Sequence, residues 1–126
     1  MANLVIPSDE ENRLKIELEK RTDSEAARIK RYLNMADLTR TDGNPLHEMA
    51  KRIQALPQFE GFDIITAPEI VPANASFDLF NFPPDHPARS KSDTYYVDDE
   101  NILRPHVTVM WYYYFQQPET REKIKN

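Results

Sequence analysis

The chain is 126 residues long, enough for one domain, or one piece of a domain, whose core folds without staples. Its 16 Lys and Arg against 21 Asp and Glu give a net charge of −5, which argues against a protein whose main task is to coat nucleic acid and leaves room only for local RNA contact. It contains no cysteine, so a disulfide framework and a cysteine-ligated zinc or iron-sulfur site are both excluded.

Residues 1–7 lack the basic region and long apolar run of a signal peptide, and no later run approaches a membrane span. The chain therefore reads as cytoplasmic, with no membrane partner. Ten prolines stand against two glycines, and eight of the prolines lie from Pro57 onward. That ratio predicts long extended connections in the second half rather than tight glycine turns.

Ser8-Asp9-Glu10-Glu11 is a capping box, with the Ser8 hydroxyl taking a helix amide and Glu11 reaching back. Leu14 and Leu18 follow four apart, so a charged helix is predicted over residues 9–21. Thr22-Asp23-Ser24-Glu25 repeats the pattern and opens a second helix with Ile29, Leu33 and Ala36 on one stripe and Lys30 and Arg31 on the wet face. Thr41-Asp42-Gly43-Asn44 is a turn, and Pro45 opens a third helix with the stripe Leu46, Met49, Ala50, Ile53, Leu56, ended by Pro57.

Phe62, Ile64 and Ile65 form a β-branched and aromatic run of strand length that stops at Pro68. From Glu69 to Ser92, apolar pairs alternate with Pro, Asn and Asp, which suits a short helix near Ser76 to Phe80 inside a long irregular excursion. Asp93 to Val97 reads as a strand, Asp98-Asp99-Glu100-Asn101 as a hairpin turn, and Ile102 to Arg104 as the returning strand. Val107 to Gln117 is too long and too unalternating for one strand and reads as helix.

Few residues carry chemistry on local grounds. His106 sits at a strand-to-helix junction, where a side chain points into a cleft from a fixed scaffold; the plainer reading is a packed or exposed imidazole. Thr108 is placed to cap the following helix. Asp85, His86 and Arg89 cluster on the proline-rich excursion without a derivable role, and with His47 remote from them no metal triad is specified. Trp111-Tyr112-Tyr113-Tyr114-Phe115 offers stacking faces for nucleobases, but a helix carrying these five aromatics must bury several of them, and core packing is the stronger reading. There is no Gly-rich phosphate loop.

Taken in order, these segments resemble one family. Asp37-Leu38-Thr39-Arg40, Gly43-Asn44-Pro45-Leu46 and the strand ending Ala67-Pro68-Glu69 look like the first signature motif of a class II aminoacyl-tRNA synthetase. Phe77 to Asn81, the Asp85-His86-Pro87-Ala88-Arg89 loop, Asp93-Thr94-Tyr95-Tyr96 and Leu103-Arg104-Pro105-His106 resemble the middle of the catalytic domain of phenylalanyl-tRNA synthetase alpha subunits.

The resemblance implies an α+β fold: N-terminal helices over 1–40, then part of a class II antiparallel sheet with flanking helices over 41–126. It implies that His106 and Thr108 hold the amino-acid substrate. Ser92 stands at a position where bacterial members carry a larger residue facing the amino acid, and Pro105 and Val107 replace residues that are polar in many members. In the complete enzyme, ATP and Mg would form a phenylalanyl adenylate that is esterified to tRNA. The two further motifs, whose arginines bind the nucleotide, are expected beyond Asn126, so no residue in this chain is identified as catalytic or as binding ATP, and the chain by itself is expected to be inactive. The segment Leu46 to Pro68 is expected against a partner subunit, with exposed apolar residues as the consequence of isolating it. Two other readings stay open: a non-catalytic, truncated synthetase-like binding or dimerisation module, and an unrelated α+β protein whose aromatic helix binds RNA.

Overall fold

A computed structural model of the chain describes residues 3–125. Among them are six α-helices and two small sheets, the α+β class expected. In chain order they are β1 (Asn3–Val5), α1 (Asp9–Lys20), α2 (Ser24–Leu33), α3 (Pro45–Gln54), β2 (Ile64–Thr66), β3 (Ile70–Pro72), α4 (Ala73–Ser76), β4 (Asn101–Leu103), α5 (Met110–Tyr114) and α6 (Pro118–Lys125). No helix among the described residues is long and apolar enough to cross a membrane.

The antiparallel sheet is β3 on β4, with Ile70 opposite Leu103 and Val71 opposite Ile102. Successive side chains of a strand point to opposite faces, and this pair uses both. Ile70 joins Leu14, Leu18, Ala26, Ile29 and Val97 beneath α1 and α2, while Val71 and Ile102 join Phe77 and Val109 on the other side. The small sheet is thus the middle layer between two apolar clusters, one supplied by the N-terminal helices and one by the proline-rich excursion and α5. The first cluster spans the boundary expected near residue 40.

The second sheet was not expected. β1 lies parallel to β2, Asn3 opposite Ile64 and Val5 opposite Thr66, and Ile6 continues it by donating to the Thr66 carbonyl at 2.9 Å. Residues 3–5 are too few and too little patterned to announce a strand; only the distant partner makes them one.

Both N-terminal helices form where the sequence places them, with different capping. The Ser8 hydroxyl accepts the Glu11 amide at 3.1 Å. The Glu11 carboxylate does not return to Ser8; Oε2 crosses to accept the amides of Glu69 at 2.6 Å and Ile70 at 2.8 Å. In α2 the cap is Asp23 rather than Thr22, its carboxylate accepting the Ala26 amide at 3.0 Å. The Arg21 guanidinium and that amide hold the Asp23 carboxyl well below the usual carboxylate range. Lys30, expected in solvent, is half-buried and donates to the Arg21 carbonyl at 2.9 Å, satisfying the end of α1. Ala36 lies beyond α2 and is exposed.

Two expectations for the second half are corrected. The strand over Asp93 to Val97 is reduced to a single bridge at Tyr96 with Ile102. Local bonds pull the segment back onto the excursion: the Asp93 and Thr94 amides both donate to the Ser90 carbonyl, the Thr94 hydroxyl donates to the Ala88 carbonyl at 2.5 Å, and the Tyr96 hydroxyl donates to the Arg89 carbonyl at 2.7 Å. The helix expected from Val107 to Gln117 is a 3₁₀ turn over Val107–Val109, the short α5, and then α6 restarting at Pro118. Asp63 fastens α6, its Oδ2 accepting from Lys123 at 2.7 Å and from the Tyr114 hydroxyl at 2.9 Å. Lys123 first, and then Tyr114, hold the Asp63 carboxyl below its ordinary value.

The five aromatics divide. Tyr113 packs on the second cluster, where burial pushes its phenol up to about 12. Trp111 and Phe115 stay exposed and stack on one another at 5.1 Å.

Candidate functional site

His106 ends the extended path that leaves β4, and two anchors fix it. The Arg104 guanidinium donates to the carbonyls of Ala67 at 3.0 Å and Pro68 at 2.7 Å, and its amide donates to the Glu69 carbonyl at 2.7 Å. Three residues beyond His106, Val109 is fully buried in the second cluster. The imidazole between these anchors is half-buried, with Nε2 3.1 Å from the Ser76 carbonyl.

A carbonyl only accepts, so in the neutral ring the proton sits on Nε2 and Nδ1 is left with a lone pair. Nδ1 is buried and has no hydrogen-bond partner among the described residues. Buried polar atoms are paired in the great majority of cases, and an orphan calls for a donor. Two phenyl rings wall the imidazole, Phe80 edge-on at 5.6 Å and Phe82 near-parallel at 6.3 Å. The arrangement is an acceptor enclosed among apolar rings, which an N–H donor attached to an apolar body would reach by displacing one of them.

The other predicted site residues are placed differently. Thr108 is exposed inside the 3₁₀ turn, which has no side-chain cap, so the expected capping role is not found. Ser92 is exposed on the turn before Asp93, its hydroxyl 2.7 Å from that of Ser90 and 3.3 Å from the Asp93 carboxylate. The hydrogen bonds of Ser92 and of His106 have no residue in common.

The loop Asp85 to Arg89 has a definite job. His86 Nδ1 accepts the Ala88 amide at 3.1 Å, capping the 3₁₀ turn Pro87–Arg89, and the His86 ring lies 4.7 Å from Phe82. Arg89 donates to the Pro83 carbonyl at 2.9 Å, to the Asp78 carboxylate at 2.6 Å and to the Phe82 carbonyl, with its guanidinium over the Phe77 ring at 5.2 Å. Asp85 is exposed. His47 belongs elsewhere, its Nδ1 2.8 Å from the Thr39 carbonyl and its Nε2 3.3 Å from Asp42. Reading the sequence alone missed Ser76, Phe80 and Phe82 as neighbours of the imidazole; the phenylalanines at 77, 80 and 82 were the available signal.

No group of three or more His, Cys, Asp or Glu among the described residues is arranged to hold a metal ion. A cleft of about 510 Å³ is lined by Asp37, Arg40, Thr66, Glu69, Arg104 and Met110 among others. Its two arginines are already bonded to protein, Arg104 as described and Arg40 to the Ile65 carbonyl at 3.1 Å and the Thr66 hydroxyl. These residues do not fit a magnesium-bound triphosphate, and no step through one is derived.

Residues 29–125 match the model of the tRNA synthetases class II core domain (F). Over 72 residues the chain is 40% identical to the phenylalanine–tRNA ligase alpha subunit of Mycoplasmoides gallisepticum, covering 57% of this chain and 21% of that protein. It is 41% identical over 80 residues to the protein of that name from Variovorax paradoxus, 59% of this chain and 22% of the relative. With the one from Malacoplasma penetrans it shares 35% over 91 residues, 71% of this chain and 27% of the relative. The chain spans about a fifth to a quarter of the length of these relatives. No solved structure matches. With three quarters of its length inside one family model and a fold of the expected α+β class, the chain belongs to the class II tRNA synthetase core-domain family, F type.

Proposed function

We propose that this chain supplies the amino-acid-recognition part of a phenylalanine–tRNA ligase alpha-type core, working in the cytoplasm. In the complete enzyme phenylalanine, tRNA and a partner subunit would meet it, with ATP and Mg held by residues outside this chain. Residues 41–126 are the partial catalytic core in this reading and residues 1–40 the helical segment docked on it. The observation that carries it is the buried, unpartnered Nδ1 of His106 between Phe80 and Phe82. A phenylalanine zwitterion admitted by a shift of Phe80 or Phe82 has both complements, an ammonium donor for the lone pair and a phenyl ring to take the place of the displaced one.

Thr108 and Ser92 complete the site as further polar contacts. Both hydroxyls are exposed, and Ser92 would have to leave Ser90 to take part. The expected result is that the 126-residue chain gives no phenylalanine-dependent pyrophosphate exchange, because the charge developing on phosphorus needs cations aimed at it, and the two arginines of the cleft are already bonded to protein. Turnover by the purified chain above a no-enzyme blank would overturn that division of labour.

A second reading, a binding or dimerisation module, draws on α3. Leu46, Met49 and Ile53 form its apolar stripe, Leu56 follows just beyond the helix end, and all four are 46–59% exposed. Fully patterned yet unburied, the stripe suits a partner subunit along Leu46 to Pro68. Light scattering is expected to show association of the unaltered chain that Ile53→Asp abolishes without loss of helical circular dichroism. A strictly monomeric unaltered chain at high micromolar concentration would remove dimerisation through this stripe.

A further inference from the structure

Arg89 is the most connected side chain of the proline-rich excursion, and its contacts converge on the rings beside His106. Its guanidinium meets three acceptors, the carbonyls of Phe82 and Pro83 and the Asp78 carboxylate, while its face covers the Phe77 ring. Phe77 is fully buried and lies 5.5 Å from Phe82, which stacks on His106. Only a planar, multi-donor cation satisfies acceptors set around one ring in this way; an ammonium reaches fewer of them and cannot stack.

We propose that Arg89 is a positioning residue for His106. By holding the backbone at Phe82 and Pro83, it keeps the Phe82 ring against the imidazole, so that Nε2 stays on the Ser76 carbonyl and Nδ1 stays turned inward. The purpose of this arrangement rests on the reading of His106 as an amino-acid contact; the geometry does not. The competing role is purely structural, with Arg89 merely sealing Phe77 into the core. The two differ in what moves when the guanidinium is replaced, because a seal disturbs the whole cluster whereas a positioning contact acts on the ring that Phe82 touches.

The test is the nuclear magnetic resonance spectrum of the isotope-labelled 126-residue chain, read at the His106 imidazole. Flanking rings displace its Hδ2 signal from the free-imidazole position. In Arg89→Lys that displacement is expected to be lost while the Ile102 and Val109 methyl signals stay in place. An unmoved His106 signal overturns the proposal whether or not Phe82 has moved, and an equal movement of the Ile102 and Val109 methyls assigns Arg89 to the fold alone and overturns it too. Should Arg89→Lys fail to fold, Asp78→Asn replaces it, taking the charge from the guanidinium's one carboxylate partner. A smaller His106 shift of the same sign supports the proposal, and no shift overturns it. Phenylalanine titrated into the unaltered chain is read separately: unperturbed His106 signals would remove the amino-acid reading and leave the ring's position as measured.

Discussion

Phe77→Ala is expected to remove a large share of the stability of the second half of the chain. Phe77 is 1% exposed and is the largest fully buried side chain, packed with Val71, Ile102 and Val109 and covered by the Arg89 guanidinium. Truncating a buried phenylalanine costs about 3–5 kcal/mol, the transfer term of the lost ring plus the cavity it leaves. A domain of this size has only ~5–15 kcal/mol in total. The loss here is compounded, because Arg89 loses the ring it covers and Phe82 loses a neighbour. Urea unfolding followed at the Ile102 and Val109 methyl resonances reads the result directly, since both side chains lie in that cluster. With a slope of ~1–3 kcal/mol/M the midpoint should fall by about 2 M or vanish into the baseline. A midpoint within experimental error of the unaltered chain would show that the second cluster does not hold this region together.

Glu11→Ala is expected to be the most damaging substitution of a charged residue outside the imidazole site. One carboxylate oxygen accepts two amides, those of Glu69 and Ile70, just where β3 begins, and Ile70 itself is buried under α1. Hydrogen bonds to an ionised acceptor contribute about 1.5–3 kcal/mol each, and removing the acceptor leaves an inward-facing amide without a partner. Because both bonds share one oxygen they are not additive, and the expected loss is about 2–4 kcal/mol. Glu11→Gln, which keeps one neutral acceptor, should fall between. Amide hydrogen exchange checks the mechanism: protection at Ile70 should drop further than at Leu103, its partner across the sheet. If both fall equally, the carboxylate acts on the domain as a whole and not on the start of β3.

Glu11 also shows where reading the chain without its fold stops. Its position three residues after Ser8 was enough to place the start of α1, and the Ser8 half of the capping box forms as expected. Which amides the carboxylate serves is a matter of what lies opposite, 58 residues further on. The strand Asp93 to Val97 failed for a related reason, because Ser90, Ala88 and Arg89 offered its polar groups partners as good as a ladder. β1 succeeded unannounced because β2 supplied the missing edge.

The candidate site divides the same way. His106 was legible by its place at a junction and by its resemblance, whereas its tautomer, its orphan Nδ1 and its two-ring wall come from Ser76, Phe80 and Phe82, brought in from up to 30 residues away.

By itself the sequence determined the local and the periodic: three helix starts, the exposed stripe of α3, the turn at Asp98 and the family. Those properties depend on neighbours within a few positions, where propensity, capping and spacing act. Only the tertiary structure decided that β3 and β4 divide two apolar clusters, that Arg89 grips the loop beside the imidazole, and that a buried nitrogen of His106 is left without a donor. Hydrogen-bond partners over such separations are chosen by competition among all the acceptors that folding brings into reach, a choice that spacing along the chain does not encode.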